Sequence, residues 1–174
     1  MEIITISNAK QLQFYLSPLS NLLFDCVTTG ASIGFTLPFS LEDAMKYWQS
    51  IANDLEQRNK ILLVAIIDNQ LVGSVQLSLC IKDNARHRAE VEKLMVLSTA
   101  RGKGVAKALM IELESYAQRS NRYLLVLDTR VGDIASILYQ KIGYIAAGTI
   151  PNFTVDSNNN HEDTCYFYKN INYS

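Results

Sequence analysis

The sequence predicts an α/β protein, a mixed and mostly antiparallel sheet of about seven strands with about four helices on its faces. Three observations lead there. Residues 60–79 hold two apolar, β-branched-rich runs around a short polar turn, the pattern of an antiparallel hairpin. From residue 88 onward the spacing alternates strand, helix, strand, helix, strand, which implies a mixed sheet covered by helices. With 48% hydrophobic and 19% charged residues, the 174-residue chain can bury one sizeable core, so residues 1–174 are expected to form one domain.

Glu2 to Ile6 alternates as a short strand, and Ala9 to about Thr29 carries a helical pattern expected to break near Pro18. Gly30 to Phe35 places two glycines among small residues, a composition suited to a loop that approaches a ligand closely. Ser40 followed by Asp43 resembles a capping box and starts a helix expected to run to about Arg58. The hairpin follows, Ile61 to Ile67 and Leu71 to Leu79 around Asp68-Asn69-Gln70, and then a strand from Arg88 to Leu97.

Gly104 opens a helix that sets Val105, Leu109, Leu113 and Tyr116 on one face and ends near Ser120-Asn121. Tyr123 to Leu127 is a compact buried strand. A shorter helix from about Asp133 to Ile142 is closed by Gly143. Tyr144 to Ile150 and Thr164 to Asn170 are the last strands, and the polar segment Pro151 to Asp163 between them reads as a mobile loop.

A formal net charge of −1 gives no general attraction to nucleic acid or anionic lipid, so neither is an expected partner. The N-terminal residues lack a signal-peptide pattern and no apolar run is long enough for a membrane helix, so a cytoplasmic location is expected. Cys26, Cys80 and Cys165 are too scattered for a disulfide framework or a zinc site and read as buried small apolar residues. With only His87 and His161 besides, no metal is expected. Trp48 and Tyr47 read as packing of the second helix on the sheet, His87 as a loop residue, and Glu112, Glu114 and Arg119 as a solvated helix face.

The segment Val96 to Ala106 carries most of the chemical information. Gly102 and Gly104 let backbone approach a ligand, and the free N–H groups at a helix start make a cradle for pyrophosphate, with Arg101 and Lys103 adding local charge. An ordinary strand-to-helix turn would use the same glycines. There is no Gly-Lys-Ser/Thr ending of a P-loop and no Gly-x-Gly-x-x-Gly of a dinucleotide fold.

Arg101-x-x-Gly104-x-Ala106 resembles the Arg/Gln-x-x-Gly-x-Gly/Ala signature of the GNAT acetyltransferase superfamily. Ala135 with Leu138-Tyr139-x-x-x-Gly143-Tyr144 resembles its second signature. Within the superfamily the chain is similar to the tabtoxin resistance protein group, through Asp25-Cys26-Val27, Gly30 to Phe35, Gln76 to Cys80, Arg88 to Val96 and Leu127-Asp128-Thr129. The resemblance implies the GNAT fold, acetyl-CoA as co-substrate and direct transfer of the acetyl group to an amine. The acceptor it implies is a primary amine of a small molecule, such as an amino-acid-like toxin or antibiotic. The alternatives are a protein or peptide amine, or a module that binds acetyl-CoA without turnover. Monomer and homodimer both remain open.

The family motif assigns Arg101 to Ala106, including Val105, to the cofactor's pyrophosphate, and Met95 and Val96 to the arm and the oxyanion. Ala135 and Tyr139 come from the second signature, with Tyr139 as proton donor to the leaving thiolate. Many members carry Asn where this chain has Gly132, so Asp133 or backbone groups would take its place. Strand alternation puts Glu90 and Glu92 on one face, and Asp128 ends a neighbouring strand, so Glu90 and Asp128 converge on one cleft. By similarity to the tabtoxin resistance group these two act through water as the base, with Glu92 as the reserve candidate. Ser32 and Phe35 of the glycine loop, with Glu90, Glu92 and Asp128, would line the acceptor pocket.

Overall fold

The computed structural model describes residues 1–171, so the last three residues of the expected domain lie outside the described residues. Seven strands form one sheet in the order β1-β2-β3-β4-β5-β7-β6: β1 (Glu2–Ile6), β2 (Lys60–Ile67), β3 (Gln70–Leu79), β4 (Arg88–Val96), β5 (Leu124–Arg130), β6 (Ile145–Val155) and β7 (His161–Asn170). All neighbours are antiparallel except β4 and β5. The helices are α1 (Ala9–Thr28), α2 (Leu41–Ser50), α3 (Ala52–Glu56), α4 (Val105–Arg119) and α5 (Ile134–Lys141).

Each face of the sheet carries its own core. Leu63, Val75, Leu77, Val91, Leu125 and Leu127 point to the side covered by Val105, Leu109, Met110 and Leu113 of α4 and by Tyr139 of α5. Leu62, Val64 and Met95 point to the opposite side, under Leu16, Leu19 and Leu23 of α1 and Trp48 of α2. Trp48 is fully buried and its Nε1 donates to the Leu19 carbonyl at 2.9 Å, so it fastens α2 to α1 as well as to the sheet. The expected hairpin is present, and its turn residues Asp68 and Asn69 adopt φ of 49° and 62°, which Asp and Asn tolerate better than other side chains. The Ser40–Asp43 capping box forms as read.

Several expectations are corrected. α1 runs unbroken through Pro18, because its apolar stripe is held by the core and the Phe14 carbonyl freed by the proline belongs to an exposed residue that water can solvate. The helix after Ser40 is split at Ile51 into α2 and α3. Asp128 lies inside β5, paired with Tyr166, and the strand continues to Arg130. Pro151 to Asp163 is not a mobile loop: β6 reaches Val155 and β7 starts at His161. Asp156 closes the turn by accepting from the Asn158 and Asn160 amides at 2.8 and 2.9 Å, an arrangement that short polar composition conceals. Cys26 is buried, but Cys80 and Cys165 are only half-buried. Glu114 is no surface residue, since Lys169 Nζ lies 2.7 Å from its carboxylate and its side chain is 16% exposed.

Candidate active site

β4 and β5 pair only through Arg88↔Leu124, Ala89↔Leu125 and Glu90↔Val126. Beyond Glu90 they part, β5 staying with β7 as far as Arg130↔Thr164. The β5-facing edge of β4 is thereby left without a strand partner, and a wedge opens at the C-terminal ends of the two parallel strands, where such sheets accept ligands. A bulge shapes the β4 wall: Gln76 pairs with Glu92 and Ser74 with Met95, so Val75 opposes both Lys93 and Leu94. Gly73 beside it is required by close approach, because a Cβ there would sit 2.9 Å from the Met95 carbonyl oxygen and from Val105 Cγ1.

At the mouth of the wedge, Val96, Ala100, Arg101, Gly102, Gly104, Val105, Ala106, Lys107 and Leu138 line a groove of about 180 Å³. Gly104 precedes α4 with φ of 80°, a conformation that glycine adopts without strain. The first intrahelical bond runs from the Ala108 amide to the Gly104 carbonyl at 3.1 Å, so the amides of Val105, Ala106 and Lys107 are left to bind an anion. A Cβ at Gly102 or Gly104 would meet nothing within 4 Å, so the space against both backbones is open to a ligand. These features fit a pyrophosphate. Lys103 is exposed beside the groove, whereas Arg101 is tethered: Nη2 donates to Thr29 Oγ1 at 2.8 Å and Nε to the Val96 carbonyl at 3.4 Å.

On the α1–α2 face of the sheet the register brings the acidic residues together. Glu90 lies level with Val126, two residues before Asp128, and Glu92 follows on the same face. Partial burial raises the Glu90 pKa, and the charges of Glu92 and Asp128 raise it further, although Glu90 keeps access to solvent. Asp128 is raised by partial burial too, with Lys93 pulling the other way. Glu92 behaves differently. Burial disfavours its charge, but Lys60 Nζ, 2.7 Å from Oε2, overcomes that and leaves Glu92 below the usual carboxyl range.

Tyr139 of α5 is buried in the core on the α4 side of the sheet, its ring against Tyr144 and Phe167 with centroids 5.9 and 6.0 Å away. Burial and the charges of Asp133 and Asp128 push its pKa well up, so the phenol keeps its proton. Asp133 is the N-cap of α5, accepting from the Ala135 amide at 3.1 Å, and Arg130 lies 3.8 Å from its carboxylate. Its side chain is committed to this cap, while Ala135 is half-buried against the core.

Ser32 and Phe35 belong to the loop that joins α1 to α2. Phe35 packs tilted against Phe39 and edge-on against Tyr47, with centroids at 5.0 and 5.2 Å, and Ser32 is half-buried. The tip of the β6–β7 hairpin touches this loop, the Leu37 amide donating to Ser157 Oγ at 3.0 Å. The loop that carries Ser32 and Phe35 is thus joined to the hairpin tip.

Three residues beside the site were given no role from the sequence, although Asp25 and Lys93 lie in segments that carry the family resemblance. Asp25, at the end of α1, accepts from both the amide and the hydroxyl of Ser98 at 2.8 Å and so holds the start of the glycine segment. Lys60 neutralises Glu92, and Lys93 reaches the rings of Phe35 and Tyr47. Only the charge of Lys60 and Lys93 beside apolar strand residues hinted at this. Among the described residues no group of three His, Cys, Asp or Glu side chains could hold a metal, and no helix is long and apolar enough to cross a membrane.

A sheet split between two parallel strands, with a glycine-flanked helix start at the mouth of the split, fits a protein that takes a pyrophosphate-bearing ligand. The acetyltransferase (GNAT) family model matches residues 29–144, and the chain belongs to that family. An uncharacterized N-acetyltransferase of the hisH–hisA intergenic region of Azospirillum brasilense is 30% identical over 117 residues, 66% of this chain and 68% of that protein. In fold the chain is similar to the ribosomal-protein-alanine N-acetyltransferase of Brucella melitensis, with a TM-score of 0.79, 23% identity and coverage of 98% and 100%. It is also similar to yncA of Salmonella typhimurium, determined with its cofactor acetyl-CoA, with a TM-score of 0.78, 16% identity and coverage of 99% and 95%. The chain is accordingly an acetyl-CoA-dependent N-acetyltransferase.

Proposed function

We propose that this enzyme transfers the acetyl group to a primary amine of a small molecule by direct attack in a ternary complex. The observation that carries this reading is the pair Glu90 and Asp128, both with raised pKa, on the α1–α2 face of β4 and β5 where the two strands part. Glu90 and Asp128 take the proton of the arriving ammonium through water. Their raised pKa makes them better bases than ordinary surface carboxylates. The free edge of β4 near Met95 and Val96 offers backbone amides to the oxyanion that develops on the thioester carbonyl. Tyr139, kept protonated, donates to the departing thiolate. Ser32, Phe35 and Glu92 border the acceptor, and Lys103 with the α4 amides takes the pyrophosphate.

A small acceptor is favoured because the hairpin tip is tied to the α1–α2 loop, the Leu37 amide donating to Ser157 Oγ at 3.0 Å. The similarity to the tabtoxin resistance group points the same way, to an amino-acid-like amine. Thiol release from acetyl-CoA with a panel of small amines, and with peptides bearing free N-termini, tests the reading. Turnover of small amines is expected; turnover confined to peptides would transfer the function to protein acetylation.

A further inference from the structure

Lys93 stands out among the cations of the cleft. Regular alternation would send its side chain to the α4 side with Val91, but the bulge in β4 turns it to the face that carries Glu90 and Glu92. The residue adopts φ of 51°, a conformation that costs a lysine about 1 kcal/mol or more. Its Nζ lies 5.4 Å from the ring centroid of Phe35 and 5.6 Å from that of Tyr47, under Gly34, whose absent Cβ would come within 3.4 Å of the nitrogen.

Lys60, the neighbouring cation, is satisfied by Glu92 at 2.7 Å and Gln76 at 3.2 Å. Lys93 is not. Among the described residues no carboxylate lies within ion-pair distance of its ammonium, although Glu92, Asp128 and Glu90 are within electrostatic reach and burial lowers its pKa. A half-buried ammonium held between two rings without a direct counter-ion is a receptor for an anionic group brought by a ligand.

We propose that Lys93 selects the acceptor: its ammonium, lodged between Phe35 and Tyr47, binds the carboxylate of a small molecule whose amino group faces Glu90 and Asp128. This rests on the small-amine reading above. A carboxylate fits better than a phosphate, because Lys93, with Glu92 cancelled by Lys60, already lies within electrostatic reach of two further carboxylates, Glu90 and Asp128. A zwitterion complements that set, whereas a phosphate dianion is repelled by it.

The test is a steady-state comparison of matched acceptors, each amino acid or dipeptide against its carboxamide, its decarboxylated amine and an aminoalkyl phosphate. The wild-type enzyme is expected to favour the carboxylate form in kcat/KM by on the order of ten- to a hundredfold, mostly through KM. Lys93→Met keeps the stem over the rings and removes the charge, so the ratio is expected to collapse while turnover of the decarboxylated amine persists. Lys93→Arg is expected to retain part of the preference. An unchanged ratio in folded Lys93→Met, or equal use of carboxylate and carboxamide forms by the wild type, overturns the receptor and leaves the small-amine reading standing. A phosphate preference overturns the choice of carboxylate. Thiol release with no small amine at all overturns that reading, and the receptor with it.

Discussion

Lys60 Nζ sits 2.7 Å from Glu92 Oε2, with 12% and 29% of the two side chains exposed. This pair separates the two glutamates that strand alternation puts on one face. A carboxylate tied to a lysine and held below its ordinary pKa is a poor acceptor of protons; Glu90, raised by partial burial and by two carboxylate neighbours, is a better one.

Glu90→Gln and Asp128→Asn are each expected to lower kcat on the order of a hundredfold with little change in acetyl-CoA affinity. Because the two residues act as a unit, the double variant is expected to be far less than multiplicatively worse. Glu92→Gln keeps more activity but strands a nearly buried ammonium, costing about 2 kcal/mol of stability. Kinetics and denaturant titration of the three single variants check this. The opposite ranking, with Glu92→Gln the slowest, would move the base to Glu92.

The raised pKa of Glu90 has a consequence for stability as well as for rate. A carboxyl whose pKa is higher in the folded chain favours the fold when protonated, and that favour is lost as pH rises from its ordinary value through the raised one. Glu90→Gln is therefore expected to melt above the wild type at neutral pH, with the gain disappearing below the ordinary carboxyl range. Melting curves from below the ordinary carboxyl range up to neutral pH check this. In the same window the wild-type rate rises with pH as the coupled pair loses its proton.

Tyr139→Phe leaves the aromatic packing against Tyr144 and Phe167 in place. It is expected to lower kcat on the order of a hundredfold while acetyl-CoA binding changes little, since the proton matters when the thiolate leaves. Equal turnover would reduce Tyr139 to a packing residue.

Asp25→Ala removes both acceptors that fix Ser98. The expected result is about tenfold weaker acetyl-CoA binding by calorimetry, with the acid limb of the rate profile unmoved, because the residue positions the groove and does not touch the amine. A shifted acid limb would contradict that division.

Acetyl-CoA at a hundred times its Kd is expected to stabilise the wild type by about 2.7 kcal/mol. Gly104→Val puts a β-branched residue at φ of 80° and a side chain in the open space of the cradle, so a folded variant should show no such shift. A full shift would remove the pyrophosphate from this helix start.

The hairpin around Asp68-Asn69, the capping box at Ser40 and the glycine-flanked start of α4 were legible in the sequence because each depends on residues within a few positions of one another. Strand alternation put Glu90 and Glu92 on one face, and the resemblance to the tabtoxin resistance group added Asp128 as the partner of Glu90. What the sequence could not decide depends on contacts between distant segments. Pro18 stays inside a helix because a core built from β1, β2 and α2 holds α1 together, and a polar stretch becomes the end of a hairpin because β7 lies beside it. Lys60 stands 32 positions before Glu92 and Asp25 stands 73 before Ser98. Lys93 belongs by alternation to the wrong face, and only the bulge that pairing with β3 imposes turns it into the cleft. Local preference wrote the elements; charge pairing and strand register across the sheet decided which distant side chains meet.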